Sequence, residues 1–211
     1  MNEVLQKLIL ILAVITLFLA GCGPTAKYTT VKYIKNIEEL AQARVLEEYS
    51  IVFGRIKWIE AGKEKKVVAI PHLLKLEDEA KITCQVSKEG DFVWSLEKGT
   101  YIMNVIEYRA WTGTKLFNPK VVFYVPESGK VYYIGTLRAE FVPKGEIRFS
   151  ILNEVERDWA EFQNKFSITS TEFEKNLMVR DPRLPDTIGT TKSDLLLLDL
   201  LRFLSQPALY Q

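Results

Sequence analysis

Apolar and polar residues alternate along the middle of the chain, between residues 49 and 152. In the first run Val52 and Trp58 fall on one face, whereas Arg55 and Lys57 fall on the other. A period of two is typical of half-buried β-strands, and turns separate the successive runs. The predicted strands begin at Tyr49 and continue with Lys66 to Leu76, Ala80 to Val86, Phe92 to Leu96, Thr100 to Tyr108, Lys120 to Val125, Val131 to Arg138 and Glu146 to Leu152.

These runs also indicate the class of fold. They are short, rich in β-branched and aromatic residues, and separated by glycine-bearing turns, which favours an antiparallel sandwich or barrel over a parallel α/β sheet. Eight strands are a normal number for a sandwich. We therefore predict a mainly β fold, an antiparallel β-sandwich over residues 49–152, with a tether and short helix before it and amphipathic helices after it.

The period changes to that of a helix on both sides of this region. Asn36 to Glu48 predicts a short helix, because Asn36 can cap it and Glu39 occupies the capping-box position. A second helix is predicted after Asn153, which forms a capping-box pair with Glu156. An apolar stripe on this helix is expected to pack on the sheet, and it consists of Val155, Trp159, Phe162 and Phe166.

The C-terminal part of the chain combines a short helix, a linker and a strongly apolar segment. Thr171 to Met178 predicts the short helix, which completes a helical region over residues 153–179. Residues 180–192 form a linker that contains proline and glycine. Ser193 to Ser205 predicts an apolar helix with Asp199 and Arg202 opposite its broad apolar face. That face is a candidate partner-docking surface of Leu196, Leu197, Leu200, Leu201, Phe203 and Leu204.

Two roles are open for the helix at Ser193 to Ser205. It either packs on the same domain, or it docks on a partner or a membrane from the end of the linker. At about 12 residues it is too short to span a bilayer. With two aspartates and one arginine, it lacks the cationic face of an interfacial helix. For the second role, a protein partner is therefore favoured over lipid.

The N-terminal 21 residues have the three parts of a secretory signal peptide. A short polar stretch ends at Lys7, residues 8–20 are apolar except for Thr16, and small residues precede Cys22. The apolar run is shorter than the ~20 residues that a transmembrane helix needs. The alternative is an uncleaved helix packed on the domain, but a uniformly apolar run has no amphipathic face for such packing.

The residues Leu19-Ala20-Gly21-Cys22 resemble the lipobox of bacterial lipoproteins. The resemblance implies that Cys22 becomes the mature N-terminus and carries a thioether-linked diacylglycerol and an N-acyl chain such as palmitate. It further implies a location in the cell envelope, lipid-anchored to a membrane. Because Gly23 replaces the aspartate that retains such proteins in the inner membrane, the implied site in a Gram-negative cell is the outer membrane, facing the periplasm.

Two cysteines, Cys22 and Cys84, are the only ones in the chain. If Cys22 is acylated, Cys84 has no intramolecular partner; a disulfide between the two is the alternative that an oxidising envelope permits. Cys84 alternates with polar neighbours on a predicted strand, so we expect a buried, inert thiol. The formal net charge of +1 gives no long-range field for nucleic acid.

Few residues have the spacing of a catalytic or metal site. His72 is the single histidine, so zinc motifs and paired histidine ligands are absent from the sequence. A serine-histidine-aspartate triad would need His72, which we expect at a strand end or turn. The acidic run at residues 77–79 lacks the ligand spacing of a calcium loop and predicts a solvated turn. We expect no enzyme activity, catalytic residue, cofactor or metal.

Aromatic residues crowd the central strands, and adjacent pairs must point to opposite faces of a sheet. One face would form the core, whereas the other would be either covered by the helix after Asn153 or exposed as a platform for carbohydrate. The residues concerned are Tyr101, Trp111, Phe117, Phe123, Tyr124, Tyr132 and Tyr133.

The segment from Phe92 to Val105 resembles the turn and strand of carboxypeptidase-regulatory-like, transthyretin-type sandwiches at Leu96, Gly99 and Tyr101. The resemblance implies an envelope accessory domain without catalytic residues. Residues 131–135 also resemble a segment of envelope lipoproteins. We therefore predict a signal peptide (1–21), a lipidated N-terminus with a tether and short helix (22–48), a β-sandwich (49–152), packed helices (153–179) and a linker with an apolar helix (180–211). The predicted function is a membrane-anchored, non-enzymatic interaction module with an envelope protein as partner; a carbohydrate-binding module is the alternative.

Overall fold

The computed structural model describes residues 28–45, 47–110, 113–143, 146–167 and 172–184. These residues form two packed β-sheets and two helices, so the predicted mainly β sandwich is confirmed. The helices are α1 (Ile37–Val45) and α2 (Val155–Phe166). The strands are β1 (Tyr28–Val31), β2 (Tyr49–Glu60), β3 (Lys63–Lys65), β4 (Val68–Lys75), β5 (Lys81–Cys84), β6 (Asp91–Glu97), β7 (Gly99–Ala110), β8 (Gly113–Phe117), β9 (Val121–Val125), β10 (Val131–Phe141), β11 (Ile147–Leu152), β12 (Glu174–Lys175) and β13 (Val179–Arg180).

Sheet A has the strand order β1-β5-β4-β7-β9-β13, with β8 also paired to β7. Sheet B has the order β11-β10-β2-β3, with β12 paired to β10 and β6 paired to β2. The core between the sheets is formed by the inward faces of both, with fully buried Trp58 and Trp94 from sheet B and Tyr101 from sheet A. The predicted inward face of the first strand, with Val52 and Trp58, is part of this core.

The sheets are mixed, which corrects the expectation of a purely antiparallel fold. At the centre of sheet B, β2 and β10 run parallel, with Ile51 opposite Val131 and Glu60 opposite Phe141. Parallel neighbours need a long crossover connection. Here most of the connection is formed by strands of sheet A, since β4, β5, β7, β8 and β9 lie between β2 and β10 in the chain, together with β3 and β6 of sheet B.

A close approach of backbones marks this central pair. The register of β2 and β10 shifts between Tyr133 and Thr136, and Gly135 has a positive φ of 97°. On the facing strand, a Cβ at Gly54 would lie 2.4 Å from the carbonyl oxygen of Gly135 and 2.6 Å from Cζ of Phe92. Glycine is therefore required at residue 54 for steric reasons, and at residue 135 for its backbone conformation.

The N-terminal helix α1 begins as the sequence predicts. The backbone N–H of Glu39 donates to Oδ1 of Asn36 at 2.9 Å, and the carboxylate of Glu39 accepts from the N–H of Lys35 at 2.8 Å. The first bond satisfies a donor that the helix start leaves free, whereas the second satisfies the N–H of the residue before the cap. Leu40 is buried against the outer face of sheet B together with Ile34.

Helix α2 packs on the same outer face, as its apolar stripe predicts. Phe162 is buried against Phe53, and Phe166 is buried against Phe162. Burial of such a ring contributes about 1.5–3 kcal/mol. The predicted capping box at Asn153 is wrong, because the cap position is Glu154 and no side chain caps it. Instead, the backbone N–H of Glu154 donates to the hydroxyl of Tyr133 at 3.0 Å.

The chain on either side of the sandwich also belongs to the fold. In the predicted tether, β1 pairs in parallel with β5, placing Tyr28 beside Lys81. The predicted helix from Thr171 to Met178 is wrong: its described part contains β12, a strand that fills the edge of β10 left open beyond β11. The predicted linker begins at Arg180, but there β13 pairs with β9.

Candidate functional site

The single histidine lies in the middle of a strand rather than at a strand end or turn, which corrects the sequence-based expectation. His72 is on β4, where its Nε2 lies 2.9 Å from Oε1 of Glu107 on β7. Its Nδ1 lies 3.3 Å from Oγ1 of Thr83 on β5. The register of β4 with β5 and β7 places all three side chains on the outer face of sheet A.

Arg109 favours the ionised form of Glu107 in this group. Arg109 donates to Glu107 at 2.9 Å, and this hydrogen bond is the main cause that lowers the pKa of Glu107 below its usual value. His72 contributes to the same lowering, whereas desolvation opposes it. An ionised carboxylate only accepts hydrogen bonds, so Nε2 of His72 is the donor in this pair.

The order of carboxylate, imidazole and hydroxyl resembles that of a nucleophilic triad, but its surroundings differ. Such a triad works in a site that also binds substrate and stabilises an oxyanion. His72, Glu107 and Thr83 lie on the outer face of sheet A, and none of them lines the pockets next to Phe162, Glu97 or Asn176. The arrangement fixes the polar part of this surface.

Apolar side chains lie next to this polar group. Val68 is 50% exposed and is paired with Arg109, and Leu116 on β8 is 67% exposed and is paired with Glu107. Ile70, half-buried, lies opposite Glu107 on β4. Among the described residues, only Ile37 on α1 is another large apolar side chain with comparable exposure.

Further along the same face, the apolar residues become buried. Leu74, Ile102 and Val122 form a cluster with Leu76, and Leu184 covers them at 1% exposure. Leu184 follows β13, so the last described residue of the chain lies on the outer face of sheet A. We use the name sheet A face for the surface formed by Val68, Ile70, Leu74, Ile102, Leu116 and Val122.

The aromatic residues do not form an exposed platform in the described part of the chain. Tyr132 packs between the sheets and adjacent Tyr133 packs under α2, so rings lie on both faces, as predicted, and the helix covers the second face. Tyr101 and Phe123 are stacked in the core, with ring centroids 5.2 Å apart. The other predicted rings are Phe117 and Tyr124, which are half-buried, and Trp111, which lies outside the described residues.

A buried carboxylate that the sequence analysis did not single out joins α2 to sheet B. Asp158 is 6% exposed, and its Oδ2 accepts hydrogen bonds of 2.8 Å from the hydroxyls of Tyr133 and Thr136. Its Oδ1 accepts from Nε of Arg157 at 3.1 Å. Asp158 is four residues before Phe162, and an acidic residue on an apolar helix face requires such partners. The position of this acidic residue within the apolar stripe is the sequence signal from which a buried carboxylate could have been predicted.

One end of the sandwich carries an open concavity of about 880 Å³ with an acidic rim. Lys75 is buried there, forms an ion pair with Glu97, and has a raised pKa. Desolvation is the largest single influence and lowers this pKa, but the hydrogen bond to Glu97 and the charges of the nearby carboxylates together outweigh it. The predicted acidic turn contributes Glu77, whose Oε1 accepts from the N–H of Thr100 at 2.8 Å. The described residues contain no group of three or more side chains placed to hold a metal ion.

The remaining predicted site residues divide between the core and the undescribed part of the chain. Cys84 is buried on an inward strand face, without a disulfide, and burial raises the pKa of its thiol well above the usual range. The expectation of an inert thiol is consistent with this environment. Cys22 and the candidate docking residues lie outside the described residues; the latter are Leu196, Leu197, Leu200, Leu201, Phe203 and Leu204.

Comparisons with known proteins add little. No protein-family profile matches the sequence, and no curated protein matches it. Among solved structures, wild-type catechol 1,2-dioxygenase from Acinetobacter radioresistens matches with a TM-score of 0.23 and 9% identity, over 80% of this chain and 63% of that chain. Two single-substitution mutants of the same enzyme give the same TM-score at 10% identity. The chain thus spans less than two thirds of that enzyme, and a similarity this low carries no inference about activity.

Proposed function

We propose that this chain is a lipid-anchored protein of the bacterial envelope, and that its β-sandwich is a non-enzymatic interaction module. The observation that carries the proposal is the position of the first strand. Strand β1 begins at Tyr28, six residues after the lipobox cysteine Cys22. Six residues span at most about 20 Å when fully extended. Acylation of Cys22 would therefore hold the sandwich close to the membrane surface.

The membrane attachment in this proposal depends on lipid rather than on a spanning segment of the domain. In the part of the chain that the structure describes, neither helix is long and apolar enough to cross a bilayer. Each buried CH₂ contributes about 0.8 kcal/mol, so two or three long acyl chains give a durable anchor. A location in the outer membrane of a Gram-negative cell is part of the same proposal and rests on the glycine at residue 23.

The environments of the reactive side chains support the proposal that the module is non-enzymatic. His72 lies on an open sheet face and pairs with Glu107, and the thiol of Cys84 is buried in the core. The partner that fits best is an envelope protein, bound on the sheet A side of the domain. Exposed apolar residues surrounded by charged groups, such as Leu116 beside Glu107 and Arg109, are typical of protein interaction surfaces.

The anchor is tested by Cys22→Ala, with Cys84→Ala as the matched control. Metabolic labelling with an acyl-chain analogue and membrane fractionation should show label and membrane association in the wild type and in Cys84→Ala, but neither in Cys22→Ala. A Cys22→Ala chain that keeps both properties would refute the anchor. The interaction role is tested by crosslinking in cells, comparing the wild type with a chain that lacks residues 186–211 and with Leu116→Asp. If crosslinked partners are the same in all three, the sheet A side is not the interaction surface.

A further inference from the structure

The two outer faces of the sandwich differ in how they are covered. Sheet B is covered by α1 and α2, which bury Leu40, Phe162 and Phe166. On sheet A, the described residues provide only Leu184 as a cover, and Val68 and Leu116 remain at least half exposed. A sheet with apolar residues on both faces is stabilised by a layer on each face. The sheet A face therefore lacks part of such a layer among the described residues.

The last described residues, 181–184, place the chain on the sheet A face. Asp181 holds the path after β13: its N–H donates to the carbonyl of Lys120 at 2.8 Å, and its carboxylate accepts from the side chain of Arg183. The N–H of Leu184 donates to the carbonyl of Asp181 at 3.1 Å, forming a turn that places Leu184 on Ile102 and Val122. Residues 185–211 continue from this point.

The chain that follows Leu184 is long enough to cross the sheet A face. Residues 185–192 can reach about 25 Å when extended, which covers the sheet A face from Leu184. A helix over Ser193 to Ser205 would be about 20 Å long. Four neighbouring strands of a sheet are about 15–20 Å wide, so one such helix can cross β5, β4, β7 and β8.

We propose that the segment Ser193–Ser205 packs with its apolar side on the sheet A face of its own chain, over Val68, Ile70 and Leu116. In this arrangement Leu197, Leu200 and Leu204 replace water on the exposed apolar patch. Asp199 and Arg202, on the opposite side of the predicted helix, stay in solvent. The inference concerns the chain without a partner, whether or not Cys22 is acylated; a protein that binds the same face, as in the proposed function, would displace the segment.

Site-specific photocrosslinking tests the proposal. A benzophenone amino acid replaces Leu116 in the full-length mature chain that carries Cys22→Ala, and the same replacement at Ile37 on α1 is the control. Ile37 is similarly apolar and exposed, but it lies over sheet B. We expect the benzophenone at residue 116 to crosslink within the monomer to peptides from residues 193–205, independently of protein concentration, and the one at residue 37 not to do so.

Other occupants of the face give different products, and each would overturn the proposal. A second copy of the chain would give a crosslinked dimer that increases with concentration. A membrane would give lipid adducts only when vesicles are added to the acylated wild type. A separate protein would leave residue 116 uncrosslinked in the pure sample, as would a face that nothing covers.

A second measurement uses an introduced thiol. In a Leu116→Cys, Cys22→Ala chain the only other thiol is buried Cys84, so maleimide labelling reports access to residue 116. Adding Leu200→Asp should accelerate labelling by about tenfold, because it opposes burial of the segment and exposes the face. The matched control Asp199→Asn lies on the solvent side and should leave the rate unchanged. Equal rates in all three chains would contradict the proposal, and unchanged circular dichroism would show that the sandwich is folded in each.

Discussion

A single methyl group added at Gly54 should destabilise the sandwich severely. Gly54 lies on β2, in the centre of sheet B, and the added Cβ would be 2.4 Å from the carbonyl oxygen of Gly135 and 2.6 Å from Cζ of Phe92. Contacts below 3.0 Å do not occur between real Cβ atoms and their neighbours, so something must move. Neither neighbour can move freely, because Gly135 is backbone of the adjacent strand and Phe92 is fully buried.

The expected cost of Gly54→Ala follows from this geometry. Overpacking of a well-packed core typically costs about 1–3 kcal/mol, and a clash with backbone on a central strand belongs at or above the upper end. We therefore expect a loss of about 3 kcal/mol or more of unfolding free energy, a large part of the 5–15 kcal/mol that typically stabilises a domain. A loss of this size should also lower the midpoint of urea unfolding without changing the m-value.

The control is Gly62→Ala, at the turn between β2 and β3. A Cβ there meets nothing within 4 Å, but φ is +75°, so only backbone strain is added. That strain costs about 1–2 kcal/mol. Urea unfolding followed by tryptophan fluorescence should rank the wild type first, Gly62→Ala second and Gly54→Ala last. If Gly54→Ala is as stable as Gly62→Ala, the close approach of β2 and β10 described above is incorrect.

Three further predictions concern a buried carboxylate, a buried thiol and a partly exposed ion pair. Asp158→Ala should lower the unfolding free energy by about 2–4 kcal/mol in urea titrations, since two buried hydroxyls lose their acceptor, whereas exposed Glu156→Ala should change it by less than about 0.5 kcal/mol. Burial raises the folded-state pKa of Cys84 above its ordinary 9.0, so the stability that the protonated thiol contributes is complete below pH 9 and is lost as pH rises further, at about 1.4 kcal/mol per pH unit. In urea titrations between pH 9 and 10, the unfolding free energy of Cys84→Val should therefore fall less steeply with pH than that of the wild type. An identical slope would contradict this account. Glu107→Gln should change the unfolding free energy by less than about 1 kcal/mol in urea titrations, because the ion pair with His72 is partly exposed, and a larger loss would contradict this account.

The strands could be predicted from the sequence because alternation is a local signal. The predicted strand from Phe92 to Leu96 differs from β6 by one residue at each end, since its pattern and its flanking turns agree. Pairing is not local. The parallel register of β2 with β10 joins residues 80 apart in the chain, and no periodicity within either strand specifies it.

The errors have the same origin. Thr171 to Met178 has the composition of a short helix, but the free edge of β10 offers ladder hydrogen bonds that a marginal helix cannot match. The pairing of His72 with Glu107 depends on the register of β4 with β7, which includes a shift next to His72. The cap of α2 depends on the hydroxyl of Tyr133, 21 residues earlier. In each case a partner distant in sequence decided the local structure.

The parallel pairing of β1 with β5 sets how an anchored domain would stand on a bilayer. Tyr28 lies beside Lys81, at the end of sheet A where β4 finishes at Lys75, so the chain enters at the acidic end of the sandwich. A lipid anchor at Cys22 would turn that end toward the lipid headgroups, and anionic headgroups would repel its carboxylates. The strands would then point away from the membrane, and the faces of the sandwich would look sideways. Those faces would thus be presented to neighbours anchored in the same membrane, for which diffusion in two dimensions replaces a search through the surrounding fluid.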